Sequence, residues 1–471
     1  MAIYVIDDHP LMREAVVMLL RRVRPGSDVV ELSQLSDLDR AVATKGAPEL
    51  FCLDLKLPDT VGVSGVKLLK DLYPEIPLAV ISATPAADVE EWCREAGAAA
   101  GNPCYGFMSE NATLDEAGQQ QGLCFIGPSP RWIRALGHKT QARAFMAGQG
   151  MPQAPSSPVL ASSDEALVAA ARIGYPVLVK PAGGGGGIGM LPARDAQELA
   201  AAWAKASGIA AKFFGTAELY LERLIEAPRH IEFQVLGDRH GEVRILFERD
   251  CSVQRRHQKV LEEARPVGIP EAQLADMRLL LSGLLARIGY DVIGTVEMLY
   301  TPQDGFVFLE MNTRLQVEHA VTEEITGIDI VEAQIRLAAG MHMRQVLPTQ
   351  PQASGHAIEA RIYAEDPVRF LPSPGPLARL ELPTGDAIRV DTGYAQGASV
   401  TPFYDPMIAK LVAHGHDRMD AIARLQAALT QTPVEGVKTN IPFIQRILAH
   451  ADFGAGRIDT GIAQRVLSTQ P

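Results

Sequence analysis

The stretch RHIEFQVLGDRHGEVRILFERDCSVQRRHQKVLEE, residues 229–263, decides the fold of this chain. A strand-like run, IEFQVL, ends at Gly237-Asp238 and returns as VRILFE, and this alternation around a Gly/Asp turn predicts a hairpin. A dense group of cationic and amide side chains, 254–259, follows the second strand. Such donors suit phosphate or carboxylate oxygens, so we favour an anion-binding site. A solvated charged loop is the alternative.

A second motif, FVFLEMNTRLQVEHAVTE at 306–323, carries polar side chains at alternate positions: Glu310, Asn312, Arg314, Gln316 and Glu318. In an extended segment residues i and i+2 share one face, so Glu310 and Asn312 are predicted to point the same way. Glu297, in the strand-like run GTVEMLY, is predicted to join them from a neighbouring strand. Carboxylate and amide oxygens suit Mg²⁺ or Mn²⁺ bound together with nucleotide phosphates. A polar strand face without a metal is the alternative.

The third element is YPVLVK followed by PAGGGGGIGM, residues 175–190. The first half predicts a strand that ends in Lys180, and the glycine run leaves backbone amides free to wrap phosphate oxygens. The lysine precedes the glycines, so this is not the GxxxxGK[ST] phosphate loop. A glycine run alone would also fit a flexible linker.

Several long motifs resemble the biotin carboxylase subunit of acyl-CoA carboxylases, an ATP-grasp enzyme. They are GHKTQARAFM, PRHIEFQV, ERDCSVQRRHQK, LEMNTRLQVEHAVTE, HAIEARIYAEDP and PFYDPMIAKL, together with the strand and glycine run above. This resemblance runs from about Pro103 to the C-terminus. It implies an enzyme that uses ATP, Mg²⁺ or Mn²⁺ and bicarbonate to carboxylate biotin.

The first hundred residues instead resemble a response-regulator receiver domain. MAIYVIDDHPLMREAVVMLLRRV places Asp7 and Asp8 at the end of a first strand, LFCLDLKLPD places Asp54 at the end of a later one, and LAVISAT does the same for Ser82. In a receiver, Asp54 would accept phosphate and the other two aspartates would bind Mg²⁺. Carboxylates at the carboxyl ends of parallel strands are expected to meet at one crevice.

The receiver pattern is incomplete, because there is no lysine between Lys70 and Lys139 to pair with a phosphoryl group. The segment 104–130, CYGFMSENATLDEAGQQQGLCFIGPSP, resembles a biotin carboxylase N-terminal domain instead. Both parents are open parallel sheets, so units of one can be continued by units of the other. We therefore expect one hybrid domain joined near residues 98–103, with an acidic site that is vestigial.

The predicted fold is α/β and α+β, with a doubly wound parallel-sheet domain followed by an ATP-grasp fold and a C-terminal subdomain. The expected boundaries are 1–138 for the hybrid domain, 139–153 for a connecting helix, 154–223 for a glycine-bearing lid, 224–350 for the ATP-grasp core and 351–471 for the last subdomain. A chain of 471 residues has room for several domains.

The resemblance also implies roles for single residues. Phosphates and nucleotide are assigned to Lys139, Lys180, Gly185, Gly186, Glu222, Leu224, His230, Gln254 and His257. Metal is assigned to Glu297, Glu310 and Asn312. Gln254, His257 and Lys259 are assigned to the nucleotide and bicarbonate site together, and bicarbonate is assigned to Arg314, Gln316 and Val317, with Glu318 as the base. Arg361 would stabilise the biotin enolate, and Tyr105 lies where the family approaches biotin.

The composition and net charge of the chain limit the classes of partner that it is expected to bind. A net charge of −12 argues against nucleic acid or an anionic membrane. Five cysteines without metal-type spacing, no signal peptide and no apolar run of membrane-spanning length predict a cytoplasmic protein. No Met-Lys pair is present for biotin attachment, so the carrier and the carboxyltransferase are expected on other chains, and a homodimer is expected by resemblance. A catalytically impaired chimera and a phosphorylation-regulated signalling fusion are the alternative functions.

Overall fold

The computed structural model describes residues 2–8, 13, 16–17, 20–21, 26–55, 57–60, 64–80, 100–102, 107–120, 124–182, 188–256, 258–385, 387–403 and 405–468. In the described part, no helix is both long and apolar enough to cross a bilayer.

The N-terminal sheet has six parallel strands. In chain order they are β1 Ala2–Ile6, β2 Asp28–Leu32, β3 Pro48–Leu53, β4 Leu78–Val80, β5 Ala100–Gly101 and β6 Cys124–Phe125. Their order in the sheet is β2-β1-β3-β4-β5-β6. All five residues of β1 are buried, as expected for a strand covered on both faces of a parallel sheet. The structure thus joins the receiver-like strands to β5 and β6 in one sheet, which agrees with the predicted hybrid arrangement.

A three-stranded antiparallel sheet with the order β8-β7-β9 follows. Its strands are β7 Val177–Pro181, β8 Leu191–Ala193 and β9 Leu219–Arg223. Alanine-rich helices pack on it and bury Ala166, Ala170 and Ala206 against Val177 and Leu221. Because β7 ends just after Lys180, the expected strand-lysine arrangement is present.

An eight-stranded antiparallel sheet forms the centre of the molecule, in the order β14-β13-β10-β11-β12-β15-β20-β18. Its strands are β10 Arg229–Gly237, β11 Val243–Arg255, β12 Gln258–Ala264, β13 Val292–Thr301, β14 Gly305–Asn312, β15 His356–Tyr363, β18 Ile388–Thr392 and β20 Met407–Gly415. Two further sheets have two short strands each. One pairs β16 Gly375–Pro376 with β19 Ser399–Val400, and the other pairs β17 Arg379–Leu380 with β21 Val434–Glu435.

The described helices connect and cover these sheets. In chain order they are α1 Leu38–Lys45, α2 Ser64–Leu72, α3 Ala112–Gln120, α4 Pro130–Gly137, α5 Lys139–Gly148, α6 Ser163–Ile173, α7 Ala196–Phe214, α8 Glu271–Ile288, α9 His319–Thr326, α10 Ile330–Ala338, α11 Met343–Val346, α12 Arg418–Thr430, α13 Ile441–Leu448, α14 Ala451–Gly454 and α15 Ile462–Ser468. Apolar side chains of α8 pack on one face of β10 and β13, which leaves the other face for polar groups.

The predicted hairpin of residues 231–248 is confirmed, since β10 and β11 pair antiparallel on either side of the Gly237-Asp238 turn. The second strand is longer than expected, because it runs on to Arg255 and turns into β12. The alternating motif of 306–323 is extended only as far as Asn312. Arg314, Gln316 and Glu318 lie in the loop that leads into α9, so their alternate spacing does not reflect a shared strand face.

Candidate functional site

Acidic side chains on three neighbouring strands lie side by side on the polar face of the central sheet. In the pairing register Glu232 of β10 is opposite Glu297 of β13, and Glu297 is opposite Glu310 of β14. Residues directly opposite one another in an antiparallel pair project to the same face. The sheet therefore carries a row of carboxylates, and Glu297 does join Glu310 from a neighbouring strand as the sequence predicted.

Lys259 of β12 is the cation at the centre of this row. Its ammonium contacts Glu232, lies 3.3 Å from Glu297 Oε1 and donates a 2.6 Å hydrogen bond to Glu318 Oε1. Burial disfavours its charge, but these three carboxylates outweigh that effect and raise the pKa of Lys259 well above its usual value. Lys259 is therefore a permanent positive charge.

His230 and Gln254, two of the nucleotide candidates, flank the row. His230 Nε2 lies 2.9 Å from Glu297 Oε2, and Gln254 Nε2 lies 2.8 Å from His230 Nδ1. Burial lowers the pKa of His230 and Glu297 raises it, with a net upward shift. The imidazole is fixed between the two side chains.

The proposed metal ligands are adjacent. Asn312 Nδ2 donates a 2.7 Å hydrogen bond to Glu297 Oε1, and Glu310 Oε2 lies 3.3 Å from the ammonium of Lys139 at the start of α5. Two carboxylates opposite one another with a neighbouring amide oxygen form a donor set that suits Mg²⁺. The ligand chemistry therefore fits a divalent cation, and Lys139 lies beside one of the candidate ligands.

Glu318 lies between two cations at the start of α9. Besides Lys259, Arg361 Nη2 of β15 donates a 2.9 Å hydrogen bond to Glu318 Oε2. Burial opposes ionisation of this carboxyl, but Lys259 and Arg361 outweigh it and hold the pKa of Glu318 well below its usual range. The free protein thus holds Glu318 in its ionised form, so it carries no proton at neutral pH.

The loop before α9 brings the remaining bicarbonate candidates together. Gln316 Nε2 donates a 2.7 Å hydrogen bond to Glu297 Oε1, and the carbonyl of Val317 accepts a 2.6 Å bond from Lys410. Arg314 Nε donates a 3.0 Å hydrogen bond to Glu110, which belongs to the N-terminal domain. The loop is therefore tied both to the row of carboxylates and to the N-terminal domain.

The lid strands hold the other phosphate candidate. Lys180 Nζ and Arg143 Nη1 lie 3.2 and 3.3 Å from Glu222 Oε2, and both cations are buried. Burial disfavours the charge of Lys180 while Glu222 favours it, and the pKa of Lys180 is raised. The carboxylate of Glu222 thus fixes Lys180, while the backbone amide of Leu224 donates a 2.9 Å bond to the carbonyl of Pro176.

Sequence reasoning assigned no role to Glu232, Arg249 or Glu110. Arg249 is fully buried and donates to Glu232, Gln234, Thr295, Gln316 and Thr322. One signal was available: polar residues alternate at positions 230, 232 and 234 of a strand whose nine residues are all buried. Glu110 carried no comparable signal, because its contact with Arg314 spans two domains.

The receiver-like aspartates meet at the edge of the N-terminal sheet. Asp7, Asp8 and Asp54 each offer a carboxylate oxygen within 4.8 Å of the others, which confirms the expected proximity. Asp54 Oδ1 also accepts a 2.7 Å hydrogen bond from the backbone of Leu55. Tyr105, Gly185, Gly186, His257 and Ser82 lie outside the residues that the structure describes.

Four family descriptions match the chain. Residues 3–100 match the response regulator receiver domain, 81–133 the biotin carboxylase N-terminal domain, 138–346 the carbamoyl-phosphate synthase L chain ATP-binding domain and 359–465 the biotin carboxylase C-terminal domain. The first two overlap between residues 81 and 100.

Whole-chain comparisons agree. The chain is 47% identical over 384 residues to a biotin carboxylase of Halalkalibacterium halodurans, covering 81% of this chain and 84% of that protein. It is 45% identical over 375 residues to biotin carboxylase 2 of Bacillus subtilis, covering 79% and 84%. The biotin carboxylase domain of the Hydrogenobacter thermophilus 2-oxoglutarate carboxylase, solved with MgADP, ADP and bicarbonate, superimposes with a TM-score of 0.83 at 34% identity, covering 100% of this chain and 99% of that one.

Proposed function

The chain belongs to the biotin carboxylase family, and from that premise we propose that it carboxylates biotin for an acyl-CoA carboxylase of the acetyl or propionyl type. It is an ATP-grasp ligase. The observation that carries the proposal is the position of Glu318, a buried carboxylate held between Lys259 and Arg361. Bicarbonate activation needs a base and a cation, and enolate stabilisation needs a second cation. Glu318, Lys259 and Arg361 would supply these groups in one place.

The residues divide the chemistry between them. Bicarbonate is a poor electrophile, so ATP converts it to carboxyphosphate, and that transfer needs positioning and charge neutralisation. Lys139 and Lys180 would bind phosphate oxygens, and Glu297, Glu310 and Asn312 would hold Mg²⁺, which screens the phosphate charge. Glu318 would take the proton of bicarbonate while Lys259 and Arg314 hold its oxygens.

Biotin is the second substrate in this scheme. Its ureido nitrogen becomes nucleophilic as negative charge builds on the ureido oxygen, and Arg361 would stabilise that charge. Because carboxyphosphate hydrolyses readily, the lid that carries β7 to β9 would exclude water when it closes.

ADP release with free biotin tests the proposal. We expect the rate to require ATP, bicarbonate and biotin together. ADP release that is indifferent to bicarbonate and biotin would refute it, and would favour an impaired chimera. The signalling alternative rests on Asp7, Asp8 and Asp54, and predicts that phosphorylation changes the rate.

The acceptor and the partners are further parts of the proposal. A biotinylated carrier and a carboxyltransferase would be separate chains, and reconstitution with acetyl-CoA or propionyl-CoA as the acceptor tests the class. We also propose a homodimer in the cytoplasm. Light scattering over a dilution series tests the dimer, and a concentration-independent monomer would refute it. Cell fractionation tests the compartment.

A further inference from the structure

A pair of buried glutamates lies beside Arg361. Glu262 of β12 and Glu359 of β15 are directly opposite one another in the antiparallel register, so both side chains project to one face of the sheet. Arg361 follows Glu359 by two residues and therefore shares that face. Both glutamates are completely inaccessible to solvent.

Ionic contacts link this pair to the site. Glu262 Oε1 lies 2.6 Å from Arg361 Nε, and Glu359 Oε1 lies 4.0 Å from the same nitrogen. Glu359 Oε2 lies 3.6 Å from the ammonium of Lys410. None of the four carboxylate oxygens accepts a hydrogen bond within the part of the chain that the structure describes. Buried carboxylates in this condition are costly to keep ionised.

The surrounding charges do not balance two ionised carboxylates. The cations that face the pair are Arg361, Lys410 and Lys259, and the anions are Glu318 and Asp391, which engage the same cations. Two opposed carboxylates in a dry interior repel each other strongly, so one of them retains a proton. Burial raises the pKa of Glu262 to about 8 and also raises the pKa of Glu359.

We propose that Glu262 and Glu359 share one proton and act as a positioning pair that holds Arg361 Nε and sets the charge around its guanidinium. The inference rests on the proposed function, in which Arg361 stabilises the biotin enolate. With one negative charge on the pair, Arg361 is held at Nε by the pair and at Nη2 by Glu318. With two negative charges, three carboxylates would surround one guanidinium and leave little attraction for the developing enolate oxygen.

The pH dependence of biotin carboxylation tests the pair. A raised pKa means that the shared proton is lost as pH rises, so the wild-type rate should fall above about pH 8. Neither Glu262→Gln nor Glu359→Gln can reach two negative charges, so each should shift this alkaline fall upward by about one pH unit or more. The double variant removes the anion altogether and should lower kcat at pH 7 by about 10-fold relative to either single variant.

Glu263→Gln is the matched control. Glu263 is a buried neighbour on the same strand, its side chain projects to the opposite face, and it bonds to His356 and Arg418. It should weaken the fold without moving the alkaline limb. Circular dichroism and ATP affinity measured for every variant separate misfolding from mispositioning. A double variant as active as the single variants, or single variants with the wild-type alkaline limb, would overturn the proposal.

Difference infrared spectroscopy of the wild-type protein tests the shared proton without turnover. The protein should show the carbonyl band of a protonated carboxylic acid at neutral pH, and each single glutamine variant should lose that band, because the remaining carboxyl is ionised. A wild-type band that survives both substitutions would contradict the shared proton. Wild-type protein without biotin-dependent ADP release would instead refute the proposed function, and the infrared result would still decide whether the pair is protonated.

Discussion

Glu318→Gln is the sharpest test of the assigned base. The substitution removes one negative charge at a buried position and keeps the size of the side chain. Lys259 keeps Glu232 and Glu297 as partners and Arg361 keeps Glu262, so neither cation is left without an anion. The loss should therefore fall on chemistry rather than on folding.

The expected magnitude follows from the contacts. A positioned base commonly contributes on the order of 10²–10⁴ in rate, so biotin-dependent ADP release should fall by that factor. The carboxylate of Glu318 bonds to Lys259 and Arg361, whereas the phosphate candidates Lys139 and Lys180 bond to Glu310 and Glu222. ATP affinity should therefore stay within several-fold of the wild type, and Arg361→Ala should behave in the same way.

The assay measures ADP release at saturating ATP and bicarbonate with free biotin, next to calorimetric ATP binding. Glu248→Gln is the control, because Glu248 is a fully buried glutamate of the same sheet that pairs with Arg278 at 2.8 Å. It should lower the unfolding temperature with little change in rate. ATP binding lost in parallel with activity, or a Glu318 variant within about 10-fold of the wild type, would show that the assignment is wrong.

Three further outcomes are expected. Glu110→Ala should remove one of the contacts that position Arg314, which keeps its 3.2 Å bond to Asn312 Oδ1. It should raise the KM for bicarbonate by about 10-fold with little effect on ATP affinity, because a charge-assisted hydrogen bond is lost; an unchanged KM would argue against the coupling. Acetyl phosphate should leave no stable adduct on Asp54 by intact mass, since the chain lacks the phosphate-pairing lysine; an adduct that changes the carboxylation rate would restore the signalling function. Burial opposes ionisation of Glu263, but His356 and Arg418 lower its pKa to about 2. The stability that Glu263 contributes is therefore present above about pH 4.5 and lost as pH falls toward 2, so the gap in urea midpoint between wild type and Glu263→Gln should shrink on acidification.

Local patterns predicted much of the fold. The hairpin at Gly237-Asp238, the strand that ends near Lys180 and the pairing of Glu297 with Glu310 all follow from apolar alternation and turn residues. The prediction of a continuous strand from alternating polar residues was wrong beyond Asn312, where a loop has the same spacing. A short loop can carry the same period-two spacing as a strand, so the spacing cannot by itself mark the end of a strand.

The partners within the buried charge network could not be predicted from the chain. Charged residues are usually exposed, so a sequence-based prediction would place Glu232 and Arg249 at the surface, whereas both are fully buried. Their partners lie on strands of the central sheet, in the loop before α9 and on α9 itself, and only the tertiary fold brings these segments together. Glu262 and Glu359 likewise lie opposite one another only because β12 pairs with β15, although almost a hundred residues of sequence separate the two strands.

The N-terminal sheet continues from β4 through β5 to β6 without an edge between the two resemblances. Backbone hydrogen bonds join the strands of the receiver-like part to those of the carboxylase-like part in the ordinary parallel pairing. A cut between the two parts would expose an unpaired strand edge on each side, and such edges promote aggregation. The receiver-like strands therefore belong to the same sheet as β5 and β6. A molecule that bound the receiver-like strands would therefore contact a sheet of the same domain that carries Glu110, the residue that bonds Arg314 in the loop before α9.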